Sequence, residues 1–371
     1  VNVHDYGMDG ERIRYELNGR PVILRHGAVC EGSSRKYMTV AELRDALPII
    51  DHGRPAWCSI RWIDVDDGMN GDIIEYLIKT LQCAKQSTFN QIVNLRQSAM
   101  ALLLDTSETT DADIVNFLLI SRCPGLAASS VDKFMSQVSE DGNLDGFLQS
   151  EQISFLLQIS TEEKYAKGGA PGTLITFQEG LSGDDFGEVR QRLAEGSDFV
   201  AKQGAAHQLF LLTQCTIETA GDIEKFADTA LLDIEERFLE QKELKNPINY
   251  KLAKKIKAEC EVMHSILLPM VDAFAYLCGE KFPPEVLGNN VIAWNNLHAQ
   301  VRRLDQNIME LKTRAHGQVT AVEDVHKEEA EQRSARVERS SFIMGLVLAM
   351  FSPLSFIAGK HAAYTTAILA V

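Results

Sequence analysis

The sequence predicts an α/β head, a long helical bundle with a stalk helix, and a C-terminal transmembrane helix. Three observations predict it. Residues 342–359 form an 18-residue run without a charge, close to the ~20 apolar residues a helix needs to cross a bilayer core. From Val291 to Phe351 there is no proline and only two glycines, Gly317 and Gly345, so one helix of roughly 90 Å at 1.5 Å per residue leads into that run. Upstream of about residue 200, short β-rich segments alternate with helical ones, the order expected of a layered α/β fold.

In the head, residues 1–200, the β-rich segments are Pro21 to Leu24, Ala56 to Val65, Ile153 to Ile159 and Thr173 to Phe177, each bounded by turn-forming or polar residues. Gly71 to Leu81 and Asp184 to Leu193 have helical spacing, and Asp184 and Asp185 suit the N-cap of the second. Residues 84–150 carry no clear periodicity. Residues 201–288 change to paired acidic helices. Ala205 to Leu244 puts Ile223, Phe226, Ala230 and Ile234 on one stripe, and Asn246 and Pro247 end it. Asn249 to Leu277 follows, with Pro269 expected to kink or split it. The stalk, residues 289–341, repeats Trp294, Leu297, Val301, Leu304, Ile308, Leu311 and Ala315 at alternating spacings of three and four. That is the seam of helices packed side by side, whether with the two preceding helices of the same chain or with other copies.

Composition narrows the function classes. A net charge of −15 argues against nucleic acid as a partner and is compatible with cations. The seven cysteines are odd in number and scattered, without a CxxC pair, as expected of reduced thiols in a cytoplasmic head. The polar start predicts no cleavable signal. Arg333, Arg336 and Arg339 just before the apolar run predict that this end faces the cytoplasm. No GxSxG, no HExxH and no nominated carboxylate pair is present, and GGAPG at 168–172 lacks the Lys and Ser/Thr of a phosphate loop. An enzyme and a bound organic cofactor are therefore not expected.

In the transmembrane helix, residues 342–359 with the preceding Ser341, the positions Ser341, Gly345, Leu348, Ser352, Ser355 and Gly359 share one face, while Phe342, Ile343, Leu346, Val347, Met350, Leu354, Phe356 and Ile357 occupy the others. Small and hydroxyl residues on one stripe serve close helix packing or a narrow hydrated path.

The block Phe351-Ser352-Pro353-Leu354-Ser355-Phe356-Ile357-Ala358-Gly359 resembles the F-x-P-L-[ST]-F-I-A-G segment of the CorA family of divalent cation transporters, including its ZntB zinc-transporting branch. Pro55-Ala56-Trp57 before a β run, GTLITF at 172–177, DDFGEVRQRL at 184–193 and DTALLDIEERFLEQ at 228–241 resemble further family elements in order and spacing. The resemblance implies a homopentamer in membrane lipid, with Ser341, Met344, Leu348, Ser352 and Ser355 lining the pore. Hydroxyls at Ser352 and Ser355 suit a hydrated ion, and apolar rings at Met344 and Leu348 suit a gate. One departure is plain. The family's Gly-Met-Asn signature, its ion-selecting loop, falls here on Ala362, Ala363 and Tyr364, and residues 360–371 are expected as that loop and the start of a truncated second apolar segment.

Two metal readings accompany this one. Asp222, Asp228 and Asp233, with neighbouring glutamates, could hold a regulatory divalent ion or form a solvated face. Cys260 and His264 at i and i+4 could share a metal, or be a buried thiol and a structural imidazole. The leading functional expectation is divalent cation transport, magnesium first, with zinc, cobalt or nickel as alternatives. The rival is a non-conducting, membrane-anchored regulatory or scaffold relative.

Overall fold

The computed structural model describes residues 2–7, 14–17, 20–23, 58–65, 71–81, 92, 99–104, 114–126, 148–160, 172–178, 186, 187, 189, 198–239, 247–279, 282–287 and 290–369. Its elements are β1 (Asn2–Gly7), β2 (Arg14–Leu17), β3 (Arg20–Ile23), β4 (Cys58–Val65), α1 (Gly71–Leu81), β5 (Met100–Leu104), β6 (Ile114–Leu126), β7 (Leu148–Ser160), β8 (Gly172–Gln178), α2 (Asp198–Leu239), α3 (Pro247–Leu277), α4 (Pro284–Leu287) and α5 (Val291–Leu369).

Six strands form one sheet in the order β1-β4-β8-β7-β6-β5, and β2 pairs with β3 separately. Among the described strands of the sheet only β4 and β8 run parallel, with Ile60 opposite Gly172 and Val65 opposite Phe177. Alternation along each strand divides the apolar side chains between two faces. Ile60, Trp62, Phe117, Leu119, Phe155, Leu157 and Leu174 join the core built with α2, α3 and α5. Ile63, Val65, Leu118, Ile120, Leu156, Ile175 and Phe177 turn the other way, to Ile73, Ile74, Leu77 and Ile78 of α1. The head is thus a sheet with helices on both faces. The expected layered α/β class is what the chain adopts, with a helical extension.

The four β-rich segments and the helix at Gly71–Leu81 are present. The unpatterned stretch 84–150 proves to contain β5 and β6 and the first residues of β7. Phe117, Leu118, Leu119 and Ile120 are buried on both faces of the sheet, so their alternation of polarity is erased; a central strand reads as a continuous apolar run. β1 was also not expected. Most of the helix expected at Asp184 to Leu193 lies outside the described residues, although Phe186 is fully buried against Trp62 and Phe155.

Two helix boundaries differ from expectation. The chain enters α2 earlier, at Asp198, and breaks at Gly204, whose φ of 79° lies in the left-handed region that glycine alone adopts readily. The regular helix then starts at Ala205, next to the sheet. A Cβ placed on Gly172 would lie 2.7 Å from the Ala205 Cβ and 2.9 Å from the Gln158 carbonyl oxygen, so α2 docks on β8 only because residue 172 has no side chain. Pro247, expected as a terminator, is the first residue of α3, where its missing N–H costs nothing. Pro269 does not split α3. It removes one backbone hydrogen bond, but Ile266, Leu267, Met270 and Phe274 around it are all buried and hold the helix against the body.

A buried polar network ties the parallel pair together. Trp62 Nε1 donates to Thr176 Oγ1 (3.0 Å), which donates to Asp64 Oδ1 (2.5 Å), and Gln178 Nε2 donates to the same oxygen (2.8 Å). Asp64 is wholly buried, a position a carboxylate keeps only when its oxygens are satisfied.

Replacing Gly172 by valine is expected to destabilise the head by about 1–3 kcal/mol, because the clash is with backbone and a short side chain that cannot swing away. Thermal unfolding of the detergent-solubilised chain followed by circular dichroism checks this; an unchanged midpoint would mean that α2 is free to shift off β8.

Candidate functional site

α5 has two halves with opposite surroundings. In the upper half the seam expected from the sequence is buried within the chain: Trp294, Leu297, Val301, Leu304, Ile308, Leu311 and Ala315, continued by Val319 and Val322, are all buried. Its partners are α3 over most of the length and α2. Trp294 fixes the top, edge-on to Phe210 of α2 (centroids 5.3 Å) and tilted against Phe274 of α3 (6.0 Å). Beside it His207 shares a 3.1 Å hydrogen bond with Asn290, and burial holds the His207 imidazole below its ordinary pKa despite that bond. The heptad seam is therefore spent on intrachain packing.

Below Val322 no described residue of α5 is buried. The helix runs on through a charged stretch, 323–339, into the apolar segment, where Phe342 is 70% exposed and Leu348 65%. α3 also contains a stretch of membrane length and apolarity, but much of it is buried in the body, whereas the corresponding window of α5 is not buried at all. An unbroken helix meets the requirement that every backbone polar group be paired inside the bilayer. Pro353 interrupts it at one bond without ending it. From Phe342 to Lys360 the rise is about 27 Å, close to the ~30 Å hydrocarbon thickness. Lys360 lies over the Phe356 ring at 5.5 Å, an amphipathic pairing suited to a bilayer edge.

At 100° per residue, Ser341, Met344, Leu348, Ser352 and Ser355 fall within an arc of about 80°. Ile343, Val347, Met350 and Ile357 cluster on the far side. Described side chains among these positions are exposed in the single chain. The two-faced character of the segment is therefore a property of one continuous helix that the body leaves free.

Beyond Gly359 the expectation of a loop is corrected. The backbone stays helical through Leu369, which places Ala362, Ala363 and Tyr364 in a helix. The physical reason is local: Lys360 to Val371 contains neither glycine nor proline, and alanine is the best helix former.

The acids singled out as a metal site do not converge. Asp222 pairs with Lys225 (3.0 Å), Asp233 with Arg237 (2.8 Å), and Asp228 with Arg314 (2.7 Å). No group of three or more His, Cys, Asp or Glu side chains suited to a metal occurs among the described residues. A cleft of about 520 Å³ between α2 and α5 is lined by Glu218, Asp222 and Glu224, but Lys225 and Arg303 stand among them. Cys260 and His264 are also apart in role. Burial, reinforced by Glu259, pushes the Cys260 thiol up to about 12, while His264 Nδ1 lies 2.6 Å from Asp305 Oδ1 across the α3–α5 contact.

The interaction that sequence reasoning missed is the one at Arg314. Its Nη2 and Nε donate to the two carboxylate oxygens of Glu235 (2.8 and 3.2 Å), and Nη1 donates to Asp228 (2.7 Å). These bonds, to Glu235 first, raise the Arg314 pKa. The partners are about eighty residues apart in sequence, and the only signal for them is a cation flanking the seam. Arg314→Ala is expected to lower stability by about 1 kcal/mol, since the group is partly exposed, and Arg314→Lys to restore less than half of that because lysine lacks the planar fork. Urea unfolding midpoints of the three proteins measure it; equal midpoints would make the clamp energetically irrelevant.

The architecture has solved counterparts. The CorA magnesium transporter from Methanocaldococcus jannaschii superposes with a TM-score of 0.54 over 83% of this chain and 81% of that one, at 13% identity. The full-length CmaX protein superposes with a TM-score of 0.52 over 81% and 76%, also at 13% identity. No protein-family model and no curated protein matches the sequence. At such identities it is the fold that is shared, and the chain has the CorA-type fold: an α/β head, a helical body, and a stalk helix that runs on as an exposed apolar segment.

Proposed function

We propose that this chain is a membrane transport protein that passes a divalent cation through a gated pore built by several copies, five in the arrangement that the resemblance of its apolar block suggests. Magnesium is the foremost ion, with zinc, cobalt or nickel as alternatives. The observation that carries the reading is the single helix that starts locked in the body at Trp294 and emerges as a two-faced apolar segment. In this reading Ser341, Met344, Leu348, Ser352 and Ser355 line the pore, the serines offering oxygens to a hydrated ion and Met344 and Leu348 closing it by dewetting. The head lies in the cytoplasm, as the three arginines before Phe342 favour. A regulatory cation at Asp222, Asp228 or Asp233 would have to displace Lys225, Arg314 or Arg237.

A second reading rests on a specific observation. At Ala362, Ala363 and Tyr364 the backbone is helical, so its carbonyls are engaged within the helix rather than turned to an ion, and no side-chain amide stands there. A chain that keeps head, stalk and anchor without a selective mouth would be a non-conducting regulator or scaffold.

Flux into proteoliposomes carrying an internal divalent-cation dye separates the two. Transport predicts gradient-driven magnesium uptake by the unmodified chain, and a rise of roughly tenfold in Leu348→Asn, equivalent to about 1.4 kcal/mol off the barrier at the apolar ring. If neither protein passes ions although both are inserted, the non-conducting reading stands, and the combined changes Ala362→Gly, Ala363→Met and Tyr364→Asn become the route to gain uptake.

A further inference from the structure

The last turns before the apolar segment carry a feature that transport does not use. Between residues 332 and 341 α5 bears three cations and one acid: Arg333, Arg336, Arg339 and Glu338. All are exposed. Arg333 has only a long contact, 3.8 Å, to Glu329, and its side chain is 80% exposed. No carboxylate partner for Arg336 or Arg339 occurs among the described residues.

Their placement around the helix is not random. At 100° per residue the three arginines spread over about 120°, centred on Arg336. Glu338 and the preceding Glu331 lie about 140–160° away from that centre. Continued downward, the direction of Arg336 falls within about 20° of both Ile343 and Val347, and Met350 is about 40° from it. The centre of the Ser341, Met344, Leu348, Ser352 and Ser355 arc is about 120° away. The arginine fan thus sits directly above the bulky apolar stripe, and not above the small and hydroxyl stripe.

Height agrees with direction. With a rise of 1.5 Å per residue, Arg339, Arg336 and Arg333 lie about 4.5, 9 and 13.5 Å before Phe342. The polar zone of a bilayer leaflet is roughly 5–8 Å deep, and an arginine stem reaches several ångströms toward it while its guanidinium stays in the polar layer. A guanidinium also binds phosphate oxygens as a planar fork.

We propose that Arg333, Arg336 and Arg339 form a docking surface for anionic phospholipid headgroups on the lipid-facing side of the stalk, which holds the helix at one depth and one rotation in the membrane. The occupant is set by two things already described: continuity with the apolar segment and, within residues 330–341, cations on that side with the acids on the other. The inference rests on the reading that residues 342–359 cross a bilayer.

The test uses the full chain reconstituted in vesicles of phosphatidylcholine with phosphatidylglycerol, with each lipid spin-labelled in turn to measure how much is immobilised at the protein. Insertion is checked first by resistance to alkaline extraction. The unmodified chain is expected to retain phosphatidylglycerol over phosphatidylcholine by about threefold, with the preference shrinking as salt rises. In R333Q/R336Q/R339Q the two lipids should be retained equally, whereas Glu331→Gln with Glu338→Gln on the other side should leave the preference intact. An inserted triple variant that keeps the preference overturns the proposal. So does one that keeps the preference but loses its oligomeric state, since the arginines would then contact a second copy. A chain that never inserts overturns the membrane reading and this inference together.

Discussion

Everything in this molecule depends on the continuity of α5. A helix that leaves water for hydrocarbon must pair its own backbone groups, and α5 runs helical over 79 residues with one bond lost at Pro353, with the body gripping its upper end. A movement at Trp294 is therefore delivered to Phe342 along a rod with no hinge in the sequence between them, since Gly317 is the one glycine of that interval and no proline occurs.

The head is organised to make that grip firm. The sheet divides its apolar residues between two cores, and the larger one is continuous from Ile60 on β4 to Val322 on α5. The sheet and the upper stalk therefore share one packed interior rather than meeting at a polar joint, and close-packed interiors transmit displacement instead of absorbing it. Polar contacts add orientation: the Arg314 fork fixes α5 to α2, and the His264–Asp305 pair fixes it to α3. Neither is deeply buried, so their contribution is to register more than to stability.

Much of this was legible in the residues, for reasons that differ by element. The apolar block and the seam from Trp294 to Ala315 were readable because periodicity and uninterrupted length are strong signals. Gly71–Leu81 was readable because one of its faces is solvated. β6 was not, because Phe117 to Ile120 are buried on both sides of the sheet and show no alternation. Pro247 misled because proline suits both a helix end and a first turn. The acidic helices suggested a cation site because the acids stand out in sequence more than their partners: Lys225 and Arg237 pair with Asp222 and Asp233 within α2, and Arg314, 86 residues from Asp228, folds onto it from α5. The segment after Gly359 was expected to loop by its place in a resembling pattern, while its own alanine-rich composition favours helix. The stripe of small and hydroxyl residues in 341–359 was legible in the sequence, and its direction relative to the arginines follows from counting residues along the helix.

In the function proposed above, the lower part of α5 lies in a bilayer with one face toward lipid and the other toward a polar path. Spin labels placed singly at Ser341, Leu348 and Ser352, and at Ile343, Val347 and Met350, in the vesicle-reconstituted chain measure this through collision with oxygen, which concentrates in lipid, and with a water-soluble paramagnet. Ile343, Val347 and Met350 are expected to favour oxygen while Ser341, Leu348 and Ser352 favour the aqueous reagent, repeating with helical period. Uniform aqueous access at all six positions, or the opposite phase, would contradict it.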